Sequence, residues 1–344
     1  MIQMSIAEMA QIMGGIANGE VELSNQAQFH FDSREVKAGD IFLALKGERA
    51  DGHDYVADAI SRGAVLSIVS RAVSSPHILV GDVLVAIAKL ASYVRGELKG
   101  LKVIGITGSQ GKTTTKDLLF SILSNEGETI ASLASFNNEL GVPLTLLRCT
   151  DKSKYCILEM GARKSGDIAA LTSLANPDVG AVLKVGNAHL GQFGSQEMIA
   201  KTKGELIAGL KSGAVAVLGT YDSFTPEMAS AKGVMRVTFG DSAKCDIRAA
   251  DIEARGGFAH FDLVIGSDRH AVELQILGLH QISNALAAAA IASSLGVSVN
   301  RIASALSNHA PLSKWRMELD EANGLTLIND SYNANPESME AALK

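Results

Sequence analysis

Cysteine is scarce in this chain of 344 residues, which has three, Cys149, Cys156 and Cys245. Their spacing fits no metal-ligand or dithiol motif, and an odd number leaves one unpaired, so they read as buried thiols in a reducing compartment. Six prolines and 5% aromatic residues exclude a Pro-rich linker or an aromatic platform as the organising theme. Basic residues are not in excess: the formal charge is −6, which gives no electrostatic footprint for nucleic acid. No apolar run reaches the ~20 residues that a membrane span needs. The stretch Met1 to Ala10 lacks the basic start and apolar core of an export signal, so a cytoplasmic protein without membrane or nucleic-acid partners is expected.

What is present is 47% hydrophobic and 20% charged residues with abundant Gly and Ala, a balance typical of α/β enzymes. The length exceeds what one core usually supports, so several domains are expected. Up to about Lys99 the pattern is short apolar strands and modest helices, the mark of a small α/β domain. From Lys102 the run Val103-Ile104-Gly105-Ile106 leads through a Gly-rich turn into helical spacing over Thr113 to Leu123. Further strands are expected at Tyr155 to Leu158, Val179 to Val185 and Ala214 to Leu218, with a helix over Glu197 to Leu210. That alternation predicts a mostly parallel sheet covered by helices. Asn284 to Leu295 reads as a buried helix, and Leu325 to Ile328 as the first strand of a third unit that begins near Leu312 and is cut short at Lys344. The expected division is therefore 1–99, 100–311 and 312–344.

The strongest local signal is Thr107-Gly108-Ser109-Gln110-Gly111-Lys112-Thr113-Thr114-Thr115, set between a strand and a helix. Backbone N–H groups of such a loop, with the positive helix N-terminus, cradle phosphates; Lys112 would neutralise them and Thr113 would ligate Mg²⁺. The strict Walker spacing is not met, because Ile106 stands where its first glycine belongs. Glu159 and His189 each follow an apolar strand, at the edge where open parallel sheets place ligands, although either type is also common there as a solvated or structural group.

The form T-G-x-x-G-K-T-T-T resembles the loop of the Mur ligases, and several other stretches are similar to that family. Asp32-Ser33-Arg34, Lys46-Gly47 and Asp51-Gly52-His53 resemble the amino-terminal part that holds the uridine-diphosphate end of the substrate. Phe136-Asn137-Asn138-Glu139-Leu140-Gly141 resembles the loop facing the muramoyl-peptide, with Asn137 and Asn138 as its contacts. Glu159-Met160-Gly161-Ala162-Arg163 and Asn187-Ala188-His189-Leu190 resemble the family's metal-binding strand ends. Lys203, in Lys203-Gly204-Glu205-Leu206-Ile207, resembles the lysine that the family carbamylates, whereas Lys201 does not fit that context. Asn284 resembles the asparagine near the adenine, Arg316 the arginine that reaches the phosphates, and Asp330 the acid on the ribose; Trp315 stands where glycine is frequent.

The resemblance implies ATP and Mg²⁺ as cofactors, with Gly108, Ser109, Gln110, Gly111, Lys112, Thr113 and Thr114 around the phosphates and a carbamate on Lys203 beside Thr113, Glu159 and His189. It also implies a Rossmann-like carboxyl-terminal domain, incomplete here, and a monomer. Asp330-Ser331-Tyr332-Asn333-Ala334-Asn335-Pro336 points to the branch that adds D-alanyl-D-alanine to UDP-N-acetylmuramoyl-tripeptide through an acyl phosphate. A branch that adds a single amino acid, a folylpolyglutamate-type ligase, or a fragment that only binds the UDP precursor are the other expectations.

Overall fold

The computed structural model describes residues 2–133, 136–187, 190–310, 315–322, 325–332 and 339–340. The chain forms two compact units, one of Met1–Leu101 with Glu139–Ser153, the other of Lys102–Asn138 with Lys154–Lys344.

In chain order the first unit contains α1 (Ile6–Met13), β1 (Ile16–Asn18), β2 (Phe29–His30), β3 (Ile41–Leu43), α2 (Val56–Ser61), β4 (Leu66–Val69), β5 (His77–Leu79) and α3 (Val83–Glu97). Helix α1 opens on a capping box, in which Ser5 Oγ accepts from Glu8 N and Glu8 Oε2 accepts from Ser5 N, and closes on left-handed Gly14. The strands lie in the order β1-β5-β4-β3-β2, parallel except for the β1/β5 pair. Ile41, Phe42 and Leu43 of β3 are all fully buried, as a central strand covered on both faces requires.

The second unit begins with β6 (Lys102–Thr107), α4 (Lys112–Leu123) and β7 (Thr129–Ala131). The chain then returns to the first unit for α5 (Gly141–Leu147), every residue of which is buried. The second unit resumes with β8 (Tyr155–Glu159), α6 (Asp167–Ala175), β9 (Val179–Val182), the four-residue α7 (Leu190–Phe193), α8 (Gln196–Ala208), β10 (Val215–Gly219) and β11 (Met235–Phe239). It continues through β12 (Ile247–Arg255), β13 (Phe258–Ile265), β14 (Asp268–Leu277), α9 (Gln281–Ser294), α10 (Val299–Ser307) and the hairpin of β15 (Glu318–Ala322) and β16 (Leu325–Asn329).

Among the described residues its large sheet has the order β14-β13-β12-β11-β10-β9-β6-β8-β7. The strands from β7 to β12 run parallel, and β12, β13 and β14 form an antiparallel extension. Side chains alternate across β6: Ile104 and Ile106 join the core with Leu118, Leu119 and Ile122 of α4, whereas Gly105 faces Leu206 of α8. A Cβ at Gly105 would lie 3.2 Å from Leu206 Cδ1, and one at Gly180 of β9 would lie 3.2 Å from Leu206 Cγ, so two glycines let α8 approach the sheet closely. The other face carries α9, whose run Ala285 to Ala292 is buried almost completely.

The expected parallel sheet is present, and β9 ends at Val182 rather than Val185. The antiparallel extension was not expected from the sequence. Its signal is Gly256-Gly257, both at positive φ (60° and 85°), the pair of left-handed residues that a tight hairpin turn needs. No described helix is long and apolar enough to cross a membrane.

Candidate active site

After β6 the chain turns through Gly108 to Gly111 into α4, at the carboxyl edge of the parallel strands. Gly111 has φ 82°, and a Cβ there would lie 2.2 Å from Asn284 Oδ1. A side chain is therefore excluded on two grounds, backbone conformation and space. Lys112 curls back so that Nζ donates to the Gly108 carbonyl at 2.9 Å, which holds its charge against the loop. Burial pushes the Lys112 ammonium below its ordinary range, and the charge of Glu159 opposes that shift. Ser109 ties the loop to its neighbour: its N–H donates to Lys184 O at 2.9 Å, and its Oγ accepts from Gly186 N at 2.9 Å. Gln110 and Thr114 are half-buried beside it.

Glu159 is the last residue of β8 and is 1% exposed. The Thr113 hydroxyl donates to Glu159 Oε2 at 3.3 Å and accepts from Arg316 Nη2 at 3.0 Å. Glu159 Oε1 has no hydrogen-bond partner among the described residues, although Lys116 Nζ stands 3.5 Å away. Burial raises the Glu159 carboxyl pKa, and Lys116 and then Lys112 oppose it. A buried carboxylate oxygen without a donor, next to a hydroxyl, is the hard-oxygen set that a magnesium ion prefers.

Lys203 sits on α8, half-buried, with no hydrogen bond or ion pair among the described residues. Burial, and then the positive charge of Lys112, lower its pKa to about 7. Lys201, two residues away, is exposed. His189 lies outside the described residues.

Asn284 is 9% exposed; its Oδ1 accepts from Thr115 Oγ1 at 3.5 Å and its Nδ2 donates to Gln281 Oε1 at 2.8 Å. It therefore packs from α9 on the Gly108–Gly111 turn and the start of α4. Asp330 Oδ1 accepts from Met317 N at 3.2 Å, one residue from Arg316. Asn137 reaches the end of β8, where its carbonyl accepts from Gly161 N at 2.8 Å, and half-buried Asn138 follows it.

In the first unit, Ser33 is buried and Arg34 makes a two-pronged pair with Asp32, whose carboxyl it holds down to about 2. Lys46 bridges to Asp51 through the backbone, and Gly47 N donates to Ala50 O at 2.9 Å. Gly52 is forced: a Cβ would lie 2.6 Å from Leu45 N. His53 is engaged on both ring nitrogens, with Nδ1 2.5 Å from Asp51 Oδ1 and Nε2 accepting from Ser70 N at 2.9 Å. That acceptor role at Nε2 puts the proton on Nδ1.

A model described as the Mur ligase middle domain matches residues 106–292, and one described as the Mur ligase family, catalytic domain, matches residues 29–108. The chain belongs to the Mur ligase family. A UDP-N-acetylmuramoyl-tripeptide--D-alanyl-D-alanine ligase from Mycobacterium bovis is 41% identical over 382 residues, covering 100% of this chain and 73% of that protein. The crystal structure of MurF from Acinetobacter baumannii superposes with a TM-score of 0.90 at 35% identity, covering 98% of this chain and 75% of that one. MurF from Thermotoga maritima, solved in complex with ADP, superposes with a TM-score of 0.80 at 33% identity, covering 93% of this chain and 74% of that one.

Three groups of this Mur ligase site escaped the sequence reading. Lys116 is 4% exposed, and its Nζ donates to Ser132 O at 3.1 Å while lying 3.3 Å from Asp117 Oδ1. Its signal was the i, i+4 spacing from Lys112, which puts both cations on one helix face. Asp222 follows β10 at the same sheet edge, and its carboxylate accepts from Val185 N (2.9 Å), Phe224 N (2.8 Å) and Thr225 N (2.7 Å). Ser109 and Asp222 thus hold the segment 184–186 from two sides. The third is the Tyr332 ring, stacked on Arg316.

Proposed function

We propose that this Mur ligase joins D-alanyl-D-alanine to UDP-N-acetylmuramoyl-tripeptide at the expense of ATP, in the synthesis of peptidoglycan precursor. The γ-phosphoryl group passes to the free carboxylate of the tripeptide, giving an acyl phosphate and ADP. The dipeptide amine then attacks the acyl carbon, the amide bond forms and inorganic phosphate leaves. The observation that carries this reading is the chain of contacts from Arg316 through the Thr113 hydroxyl to Glu159, whose charge acts on Lys112. Such an array of fixed cations and donors suits phosphoryl transfer, in which positioning and charge neutralisation supply most of the catalysis.

In this reading Gly108, Ser109, Gln110, Gly111, Lys112, Thr113 and Thr114 hold the phosphates, Asn284 the adenine, Asp330 the ribose, and Arg316 the phosphate charge. Thr113, Glu159, His189 and a carbamate on Lys203 would hold Mg²⁺, which when bound polarises the phosphoryl oxygens. The half-neutral amine of Lys203 near pH 7 favours the carbamate, because only the neutral amine adds CO₂. Ser33, Arg34, Lys46, Gly47, Asp51, Gly52 and His53 hold the uridine-diphosphate end; exposed Lys46 offers a cation to a diphosphate, while exposed Arg34 is paired with Asp32. Asn137 and Asn138 meet the muramoyl-peptide. The functional division is 1–99 for the precursor, 100–311 for ATP and chemistry, and 312–344 for the start of a carboxyl-terminal ligase domain. We read the chain as a cytoplasmic monomer without a membrane partner, and the net charge of −6 favours the absence of a nucleic-acid partner.

The test is phosphate release by the chain with ATP, Mg²⁺ and UDP-N-acetylmuramoyl-tripeptide. Release that depends on D-alanyl-D-alanine and yields the pentapeptide by mass supports the assignment. Release that depends instead on a single amino acid, or failure to bind the precursor, overturns it.

A further inference from the structure

The pairing Glu318↔Asn329 of β15 and β16 brings the residues just outside the hairpin, 315–317 and 330–332, side by side. They are laced together: Tyr332 N donates to Trp315 O at 3.1 Å and Met317 N donates to Asp330 Oδ1 at 3.2 Å. Arg316 stands between two non-glycine residues in the left-handed region, Trp315 (φ 62°) and Met317 (φ 50°). Such conformations persist only where the surroundings determine them, and they gather at ligand sites and switches. The guanidinium carbon of Arg316 lies 4.1 Å from the centroid of the Tyr332 ring. Its Nε is buried without a hydrogen-bond partner among the described residues, while Nη2 donates to the Thr113 hydroxyl. The ring face is therefore a principal orienting contact of a cation whose other end touches the phosphate loop.

We propose that Tyr332 is a positioning residue that holds Arg316 by cation–π stacking, so that the guanidinium meets the Thr113 end of the phosphate loop in one fixed orientation. The ring acts through its π-face, and its hydroxyl is dispensable. The effect on nucleotide rests on the function proposed above; the stacking itself does not.

Two measurements separate the two ideas. In the full chain labelled with ¹⁵N-arginine, the Arg316 side-chain resonances, identified by their loss in Arg316→Met, should carry an upfield ring-current shift. Tyr332→Phe should keep that shift and Tyr332→Leu should abolish it. Calorimetry with MgADP should show Tyr332→Phe within about twofold of the parent and Tyr332→Leu weaker by roughly three- to thirtyfold, the range that a stacked cation supplies. In the Arg316→Met background the Leu substitution should change nothing further, because a positioning residue has no effect without the group it positions. An Arg316 shift that survives in Tyr332→Leu, or an equal loss of affinity in both backgrounds, overturns the inference. Failure of the parent to bind MgADP counts against the proposed function, and the ring-current shift still decides the stacking.

Discussion

Lys112 and Lys203 show how the same side-chain type takes two states within one site. Lys112 is held against the Gly108 carbonyl with Glu159 as its counter-charge, and its loss leaves the loop without a cation while removing no core contact. Lys112→Ala should lower ATP turnover at least about a hundredfold, as removal of a fixed charge-stabilising donor does, with an unchanged circular dichroism melt. Near-parental turnover would remove the lysine from the mechanism. Lys203 lacks a counter-charge among the described residues and faces the positive Lys112, so its amine is half neutral at about pH 7. The charged form of a base is disfavoured here, so the neutral, CO₂-reactive fraction rises as pH climbs through 7 and saturates above it. Carbon-13 NMR with labelled bicarbonate should show a carbamate signal that grows from pH 6 to pH 8 and is absent in Lys203→Ala. That variant should lose ligation and regain part of it with a short-chain carboxylic acid, while Lys201→Ala should behave like the parent. At this scale the sequence was readable where a motif fixes both type and position, as for Lys112, Thr113 and Glu159. It was opaque at Lys116, since a helix lysine is usually solvated, and only long-range pairing with Ser132 and Glu159 explains its burial.

At the level of elements, β6, α4, β8, β10 and α9 were legible because each is a run of apolar residues with a single period, bounded by turn residues. The three antiparallel strands were missed although β13 and β14 do alternate, with Asp262 and Glu273 on the more exposed face between buried Phe261 and Leu263 and buried Val272 and Leu274. Gly111 is where element and site meet, because it both starts α4 and sits under Asn284. Gly111→Ala would force a side chain into the left-handed region at a cost of ~1–2 kcal/mol and drive the new methyl into the Asn284 amide. The expected result is a weakened nucleotide site, with MgADP affinity down by about tenfold or more, and a melting point lowered by a few degrees in a chain this long. If calorimetry found parental affinity, the close fit of Asn284 on the loop would lose its claimed importance.

For the whole molecule, the return of residues 139–153 to the first unit could not be read from the sequence, because it depends on which helix α5 finds rather than on any local pattern. Helix α5 packs on α3, and Val142, Leu144, Leu146 and Leu147 are all buried. Burying each such side chain is worth ~1.5–3 kcal/mol, so losing four removes an amount comparable with the ~5–15 kcal/mol that holds a domain together. A fragment of residues 1–101 should therefore unfold at much lower urea than the same unit in the full chain, followed by exchange protection of β3 and β4 amides. Equal protection in both would show that α5 contributes little to the first unit.

The same return has a consequence during synthesis on the ribosome. Residues 1–101 emerge first, yet their core lacks α5 until β6, α4 and β7 have also been translated. At ~5–20 residues per second that interval lasts a few seconds. Throughout it, the apolar face of α3 that α5 will cover stays open to water, to chaperones and to other nascent chains. The loop and helix that follow β6 are thus made inside the waiting time of their neighbour, while α3 has yet to meet α5.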